Sequence, residues 1–303
     1  MAILVAILVA VLGFIGLYIT PILLLLPVPF IVFGIKYEMK YNIVSMILSI
    51  GFMTLIMGIS MSLVLAILFV PLSIFIQYTI EKEYKSSHVL LFGAGIVLIS
   101  LFLRFIILEY TLDIDVTNEM EVFIRKFFEN SMKNIENRGL SNNEVLQFRD
   151  MFKSVSDYLV VVIPTMIIVF SFIISYINLL LLSIILNKIG YKKFKMGKFM
   201  YFRLPSNIIL GSAVMLIGSF IIKYLKILNY NTIFMNMSFI LSIVFFLQGL
   251  SLIIYWVSNM KVNKAIKIIV MIIVIINIPF LSGILSMLGV IDVIFDFRKL
   301  KKA

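Results

Sequence analysis

The chain has 303 residues, of which 62% are hydrophobic and 14% are charged, and its formal charge at pH 7 is +11. This composition excludes a soluble globular domain and predicts an all-α, polytopic transmembrane helical bundle. The chain has no Cys and one His, which excludes disulfides, thiolate metal sites and multi-histidine metal sites, so we expect no metal and no cofactor. No P-loop is present and no acid/base constellation can be named, so we predict that the protein is not an enzyme.

The first apolar run predicts a membrane helix with small residues along one side. No side chain in residues 1–33 ionises at neutral pH, and a helix over 2–20 would rise about 27 Å, most of the thickness of a bilayer core. Small residues lie on one side of this helix, namely Ala2, Ala6, Ala10 and Gly13. Such a face lets a second helix approach closely in lipid, so these four residues are candidate positions for helix docking.

Four further apolar runs precede the long polar segment. The run over 22–35 is short and contains prolines, so it predicts a short or broken span. The tract over 41–80 needs two helices, divided near Ser60, and the fifth span covers 89–108. Together the five runs form a predicted N-terminal transmembrane bundle over 1–108.

Residues 109–157 form the long polar segment, with ten of the chain's fifteen acids against six bases. Apolar residues at helical spacing predict two amphipathic helices, the first ended by Gly139 and the second opened by a capping box of Ser141 and Glu144. Their apolar faces can pack on each other or on the lipid interface, or the pair can form a lid over an external entrance. We therefore predict an extracytoplasmic helical insert.

A C-terminal transmembrane bundle is predicted over 158–303. Its first span covers 158–186, and a basic tract without acids follows, which the positive-inside rule makes cytoplasmic. Anionic lipid is the partner that we expect for this tract, although phosphate, nucleic acid or a protein would also suit it. Because the bases lie in short tracts between apolar runs, we do not expect nucleic acid. The cations of the tract are Lys188, Lys192, Lys193, Lys195, Lys198 and Arg203.

The next spans cover 204–222 and 232–258, and the last apolar run allows two topologies. Residues 268–291 suit a single span, which would leave the terminal bases outside, whereas a break near Pro279 and Gly283 returns the chain to the cytoplasm. We favour the break because four of the last six residues are basic. This topology has about eight to ten spans and places both termini in the cytoplasm.

Five polar residues within the apolar runs are candidates for lining a cavity or a substrate path: Arg104, Asn178, Gln248, Asn277 and Asp292. Snorkelling to the interface also explains Arg104, and hydrogen bonds between helices also explain the amides. Asp292 and Asp296 share a helix face and are expected to pair with the terminal basic cluster at the interface. In the single-span topology, Asp292 would instead lie at the depth of Arg104.

Two segments of the first forty residues resemble S components of energy-coupling factor transporters. AILVAILVA from Ala2 resembles the alanine-repeat first helix of those proteins, and LLPVPFIVFGIKYEMK from Leu25 is similar to their second-helix signature. The resemblance implies that Ala2, Ala6 and Ala10 dock on the transmembrane energising subunit. The whole chain resembles the YybS-like family of bacterial membrane proteins, through this pattern, FRLP over 202–205 and GVIDVIFDFRKLKK over 289–302.

Two function hypotheses follow from these observations. The first is a membrane-embedded component that binds or transports a small molecule without its own ATPase and docks a helical membrane protein through its first helix. The second is a non-transporting scaffold or regulatory protein of the cell envelope or the signalling machinery, which the scarcity of buried charge favours. The lipid bilayer is a partner in both hypotheses, and the ligand in the first is not specified.

Overall fold

The computed structural model describes residues 1–113, 115–136, 141–191, 193–225 and 229–299. Within these ranges the chain is helical and contains no β-strand, which confirms the all-α prediction. Eight helical segments of the described chain are long and apolar enough to cross a membrane. The α-helices are α1 (Ala2–Tyr18), α2 (Pro27–Tyr37), α3 (Met39–Met57), α4 (Ile59–Glu81), α5 (Ser86–Leu112), α6 (Val116–Glu136), α7 (Asn142–Val161), α8 (Ile163–Lys188), α9 (Ile208–Leu225), α10 (Tyr230–Asn259), α11 (Lys264–Ile276) and α12 (Ile278–Phe295).

Proline and glycine set the boundaries of the first helices. A short 3-10 helix with Pro21 near its start follows α1, and α2 begins at Pro27. Proline suits the first turn of a helix because its fixed φ is already helical and its missing N–H would have no partner there. Gly58 separates α3 from α4 with a φ of 83°, a conformation that favours glycine. The division therefore lies two residues before the predicted Ser60.

The polar segment forms the predicted pair of helices, α6 and α7. The capping box is confirmed, because the Ser141 N–H and hydroxyl donate to Glu144 Oε2 at 3.0 and 2.8 Å, and the Glu144 N–H donates to Ser141 Oγ at 3.4 Å. These hydrogen bonds lower the pKa of Glu144. The predicted stop at Gly139 lies outside the described residues. At the other end of α7, the chain enters α8 after a single turn residue, Val162.

The chain divides into two compact units. The first contains Met1–Ser156 and Met166–Met196, and the second contains Asp157–Thr165 and Gly197–Ala303. This partition differs from the predicted bundles, which assign the whole of α8 to the C-terminal part. Most of α8 belongs to the first unit because its buried leucines pack in one core with residues of α2, α4 and α5.

In the first unit, α1 packs against α3. A second core joins these helices to α2 and α4, and the stacked rings of Phe30 and Phe69 lie in it with centroids 5.3 Å apart. Lipid tails are as apolar as these side chains, so close van der Waals contact supplies much of the stabilisation between membrane helices. The outer surfaces of the helices expose large apolar side chains such as Leu55, as expected for a protein in contact with the bilayer.

In the second unit, α10 and α12 cross at a pair of glycines. A Cβ added to Gly249 would meet the carbonyl oxygen of Leu285, and one added to Gly289 would meet that of Phe245. The two backbones can approach this closely because both residues lack a side chain.

The last apolar run is broken into two helices, but the break lies at Asn277, and α12 runs through the predicted positions Ser282 and Gly283. Helix α11 ends at Ile276 and α12 begins at Ile278, with Asn277 between them. The Asn277 side-chain amide donates to the carbonyl of Ile273 at 2.8 Å and so occupies a backbone acceptor at the end of α11. The break lies just before Pro279, where the ring removes a backbone donor.

Candidate functional site

Two of the predicted polar residues meet at a buried arginine in the second unit. Asp292 is 3% exposed and Arg298 is 5% exposed. Arg298 Nη2 donates to Asp292 Oδ2 at 2.8 Å, and Gln248 Nε2 donates to the same oxygen at 2.6 Å. The expected pairing of Asp292 with the terminal basic cluster is therefore present, but it is buried. Asp296 instead pairs with Arg203 at 3.2 Å.

A tight turn after α12 brings Arg298 back to its partners. Asp296 adopts a left-handed conformation with a φ of 49°, and its N–H donates to the carbonyl of Asp292 at 2.9 Å. The Lys299 N–H then donates to the carbonyl of Asp296 at 2.8 Å. A left-handed residue at this position ends a helix and reverses the chain.

The same network holds the FRLP segment over 202–205. Arg298 Nη2 donates to the carbonyl of Phe202 at 3.0 Å, and the N–H of Leu204 donates to Gln248 Oε1 at 2.9 Å. The two C-terminal motifs that carry the resemblance to the YybS-like family thus meet in one hydrogen-bonded network. Arg298 and Gln248 both donate to Asp292 Oδ2, whereas Asp292 Oδ1 has no hydrogen-bond partner among the described residues. The bonds of the network join α10, the FRLP segment and the end of α12.

The other predicted polar residues lie outside this network. Asn178 Nδ2 donates to the carbonyl of Leu24 at 2.8 Å and fastens α8 to the segment before α2, which is the predicted bond between helices. Asn277 lies at the break between α11 and α12. Arg104 is half-buried in α5, and its Nε has no hydrogen-bond partner among the described residues. A role in lining a substrate path stays a prediction for all five candidates.

The small-residue face of α1 lies inside the first unit. Ala6, Ala10 and Gly13 are buried and Ala2 is half-buried. A Cβ added to Gly13 would lie 2.6 Å from the terminal methyl of Met53 on α3. This face therefore packs against a helix of the same chain. Docking of a partner on these residues stays a prediction, and the structure shows internal packing.

The basic tract after α8 is divided between the two units, the first of which ends at Met196 and the second of which resumes at Gly197. Phe194 is buried in the first unit, and Lys193 Nζ contacts Glu83 Oε1 at 2.7 Å. Its hydrogen bond to Glu83 raises the pKa of Lys193. Arg203 belongs to the second unit through Asp296. Lys192 lies outside the described residues. The remaining cations are exposed, as contact with anionic lipid requires: Lys188, Lys195 and Lys198.

A cleft of about 400 Å³ lies between α6 and α7. Phe128, Met132, Phe152 and Ser156 are among its lining residues, and the rings of Phe128 and Phe152 lie 5.5 Å apart. At its edge, Arg149 Nη2 donates to Glu136 Oε1 at 2.6 Å. The cleft combines apolar and charged lining residues.

The family described as predicted membrane protein (DUF2232) matches residues 3–293. The chain belongs to this family. The chain is also similar to the uncharacterized protein YybS of Bacillus subtilis (strain 168), with 24% identity over 282 residues, which are 92% of this chain and 89% of that protein. The resemblance to the YybS-like family is thus confirmed. No solved structure matches the chain, and the resemblance to S components stays a prediction.

The DUF2232 chain also contains buried polar pairs that sequence analysis does not single out. Asn42 Nδ2 donates to Gln77 Oε1 at 2.6 Å in the first unit. Thr165 Oγ1 donates to Asn236 Oδ1 at 2.7 Å in the second unit. An amide within an apolar run is the available signal for such residues, but the run does not show which polar group it meets.

Proposed function

We propose that the protein is a membrane-embedded binding component for a small molecule, without enzymatic activity, and that the cleft between α6 and α7 is the binding site. The cleft itself carries this proposal. Its volume of about 400 Å³ lies within the range of about 300–1,000 Å³ that is typical of ligand pockets. If the protein takes part in ATP-driven transport, these 303 residues do not supply the ATPase, because they contain no P-loop.

Ser156 supports the choice of this cleft. It is 4% exposed, and its hydroxyl has no hydrogen-bond partner among the described residues. A buried hydroxyl without a partner is energetically unfavourable, and a polar group of a ligand in the cleft would satisfy it.

Cysteine labelling tests the proposal, because the chain has no Cys of its own. Glu129 lines the cleft, whereas the next residue, Asn130, is exposed and is not among the lining residues. Glu129→Cys and Asn130→Cys variants in lipid nanodiscs are treated with a maleimide in the presence of fractionated metabolites. We expect one fraction to slow the labelling of Glu129→Cys alone. The absence of any such protection, together with native mass spectra that show no bound small molecule, would contradict the proposal.

The scaffold hypothesis is supported by a different surface of α6. Phe123 and Phe127 are 72% and 59% exposed on this amphipathic helix. Exposed aromatic residues on an amphipathic helix are typical of surfaces that meet a protein or a lipid interface. A photo-crosslinking residue at Phe123 would favour the scaffold if it captured one stable protein in living cells without added ligand.

The proposed orientation places α6 and α7 outside the cell and both termini in the cytoplasm. The contact between Lys193 and Glu83 supports it, because the loop after α4 and the basic tract after α8 then lie at the same end of the first unit. The positive-inside rule assigns this end to the cytoplasm.

A further inference from the structure

We propose that the cleft between α6 and α7 binds an amphipathic anion, a molecule with an apolar chain and a carboxylate or phosphate head group. The inference rests on the proposed function and names the ligand class of the same site.

The charge of the cleft differs in sign from that of the segment that forms it. Residues 109–157 contain ten acids and six bases. Two of these acids, Glu129 and Glu136, are lining residues of the cleft, whereas four of the bases are: Arg125, Lys133, Arg149 and Lys153. The bases of an acidic segment are thus concentrated at its concave site. A concave surface lined by cations raises the local concentration of anions.

Two of these cations are available to a head group. Arg149 pairs with Glu136 at 2.6 Å, and Arg125 pairs with Glu121 at 2.9 Å. Lys133 and Lys153 are exposed, one on each helix, and neither has an ion pair within the described part of the chain. An ammonium group on each side can donate charge-assisted hydrogen bonds to one carboxylate or phosphate.

The apolar lining explains why the ligand is an amphiphile and not an inorganic anion. Phe128, Met132 and Phe152 present rings and a thioether to the cleft, and Met132 is almost fully buried. A methionine side chain adapts its shape to an apolar chain, and aromatic rings supply large apolar contact areas. An inorganic anion has no apolar part that could contact these side chains.

The test uses the full chain in nanodiscs of zwitterionic phosphatidylcholine, with a dansyl-labelled medium-chain fatty acid as the probe. We expect a saturable rise in dansyl fluorescence. Unlabelled dodecanoate and dodecyl phosphate should displace the probe, whereas dodecanol and inorganic phosphate should not. Displacement by dodecanol as well as by dodecanoate would overturn the role of the anionic head group.

Variants locate the head group. The double variant Lys133→Gln/Lys153→Gln should bind the probe roughly ten-fold more weakly, since it loses two charge-assisted contacts. Lys126→Gln is the matched control, because Lys126 is an exposed cation of α6 that is not among the lining residues. Equal affinities of the double variant and the wild type would overturn the proposal. Both positions are exposed, so the substitutions should leave the folded protein intact, which an unchanged unfolding temperature checks.

Two further arms separate the possible outcomes. In the first arm, anionic phosphatidylglycerol is added to the disc. Displacement of the probe by this lipid would support an amphipathic anion that the bilayer supplies. Unchanged binding of the probe would support a soluble amphipathic anion. If a metabolite protects Glu129→Cys while the fatty acid probe does not bind, the ligand class is wrong and the proposed function stands.

Discussion

Replacement of Arg298 by Met tests whether the buried ion pair holds the second unit together. Arg298 donates four hydrogen bonds, to the carbonyls of Met200 and Phe202, to Ser251 Oγ and to Asp292 Oδ2. Met keeps much of the length of the side chain and removes the charge and the donors. The carboxylate of Asp292 then stays buried without its cation, a change that costs about 3–5 kcal/mol of unfolding free energy.

Arg203→Met is the matched control for this loss. The side chains of the Arg203–Asp296 pair are 19% and 18% exposed, so water compensates for part of the lost contact. Exposed ion pairs contribute about 0–1 kcal/mol, and this partly exposed pair should lie near the upper end. The double variant Arg298→Met/Asp292→Leu removes both buried charges and should recover part of the loss, because no unpaired carboxylate remains.

Trp256 provides the assay, because it is the single Trp of the chain and its ring lies 6.2 Å from that of Phe297, next to Arg298. Thermal unfolding of the purified protein, followed by Trp256 emission, should show a midpoint lowered on the order of 10 °C for Arg298→Met. The Arg203→Met midpoint should change by only a few degrees, roughly in proportion to its smaller free energy. Equal shifts in the two variants, or a double variant as unstable as Arg298→Met, would refute the reasoning.

Three further predictions concern the helix crossing, the α7 cap and the topology. Gly249→Ala places a methyl group in the α10–α12 crossing and should lower the free energy of unfolding by about 1–3 kcal/mol. In the control variant Gly211→Ala the added methyl group meets no atom within 4 Å, so the free energy of unfolding should not fall. Equal unfolding temperatures of the two variants would contradict the prediction. Because hydrogen bonds lower the pKa of Glu144, the cap stabilises α7 above the unfolded-state pKa of about 4.3 and is lost as the pH falls through the lower folded-state pKa. Hydrogen exchange in the first turn of α7, corrected for intrinsic rates, should rise in acid for the wild type, and the same rise in Glu144→Gln would argue against the cap. In intact cells, Asn130→Cys should react with an impermeant maleimide and Lys261→Cys should not; labelling of Lys261→Cys would contradict the topology.

The apolar runs predict most of the helices because membrane spans need length and hydropathy, and both are visible in the sequence. They do not show which helices pack together. Helix α8 illustrates the limit, since its leucines would suit a core in either unit. The small-residue face of α1 has the same limit: small residues predict a close approach, and in the structure the approaching helix is α3 of the same chain.

The candidate site was predictable only in part, for geometric reasons. Gln248 and Asp292 are visible as polar residues in apolar runs, and a cation near Asp292 follows from charge balance. That Arg298 reaches back to bury its guanidinium depends on the left-handed turn at Asp296, which no periodicity reveals. The cleft between α6 and α7 depends on how the two amphipathic helices pack against each other. The apolar pattern of each helix alone does not show this arrangement.

The order of the residues in the buried network bears on how the protein is made. Phe202, Ser251 and Asp292 all precede Arg298, so translation delivers these acceptors first and the guanidinium that they share last. Until Arg298 has left the ribosome, the carboxylate of Asp292 has no cation in this network, and the carbonyls of Met200 and Phe202 lack the guanidinium that donates to both. Closure of this part of the second unit is therefore a late biosynthetic event.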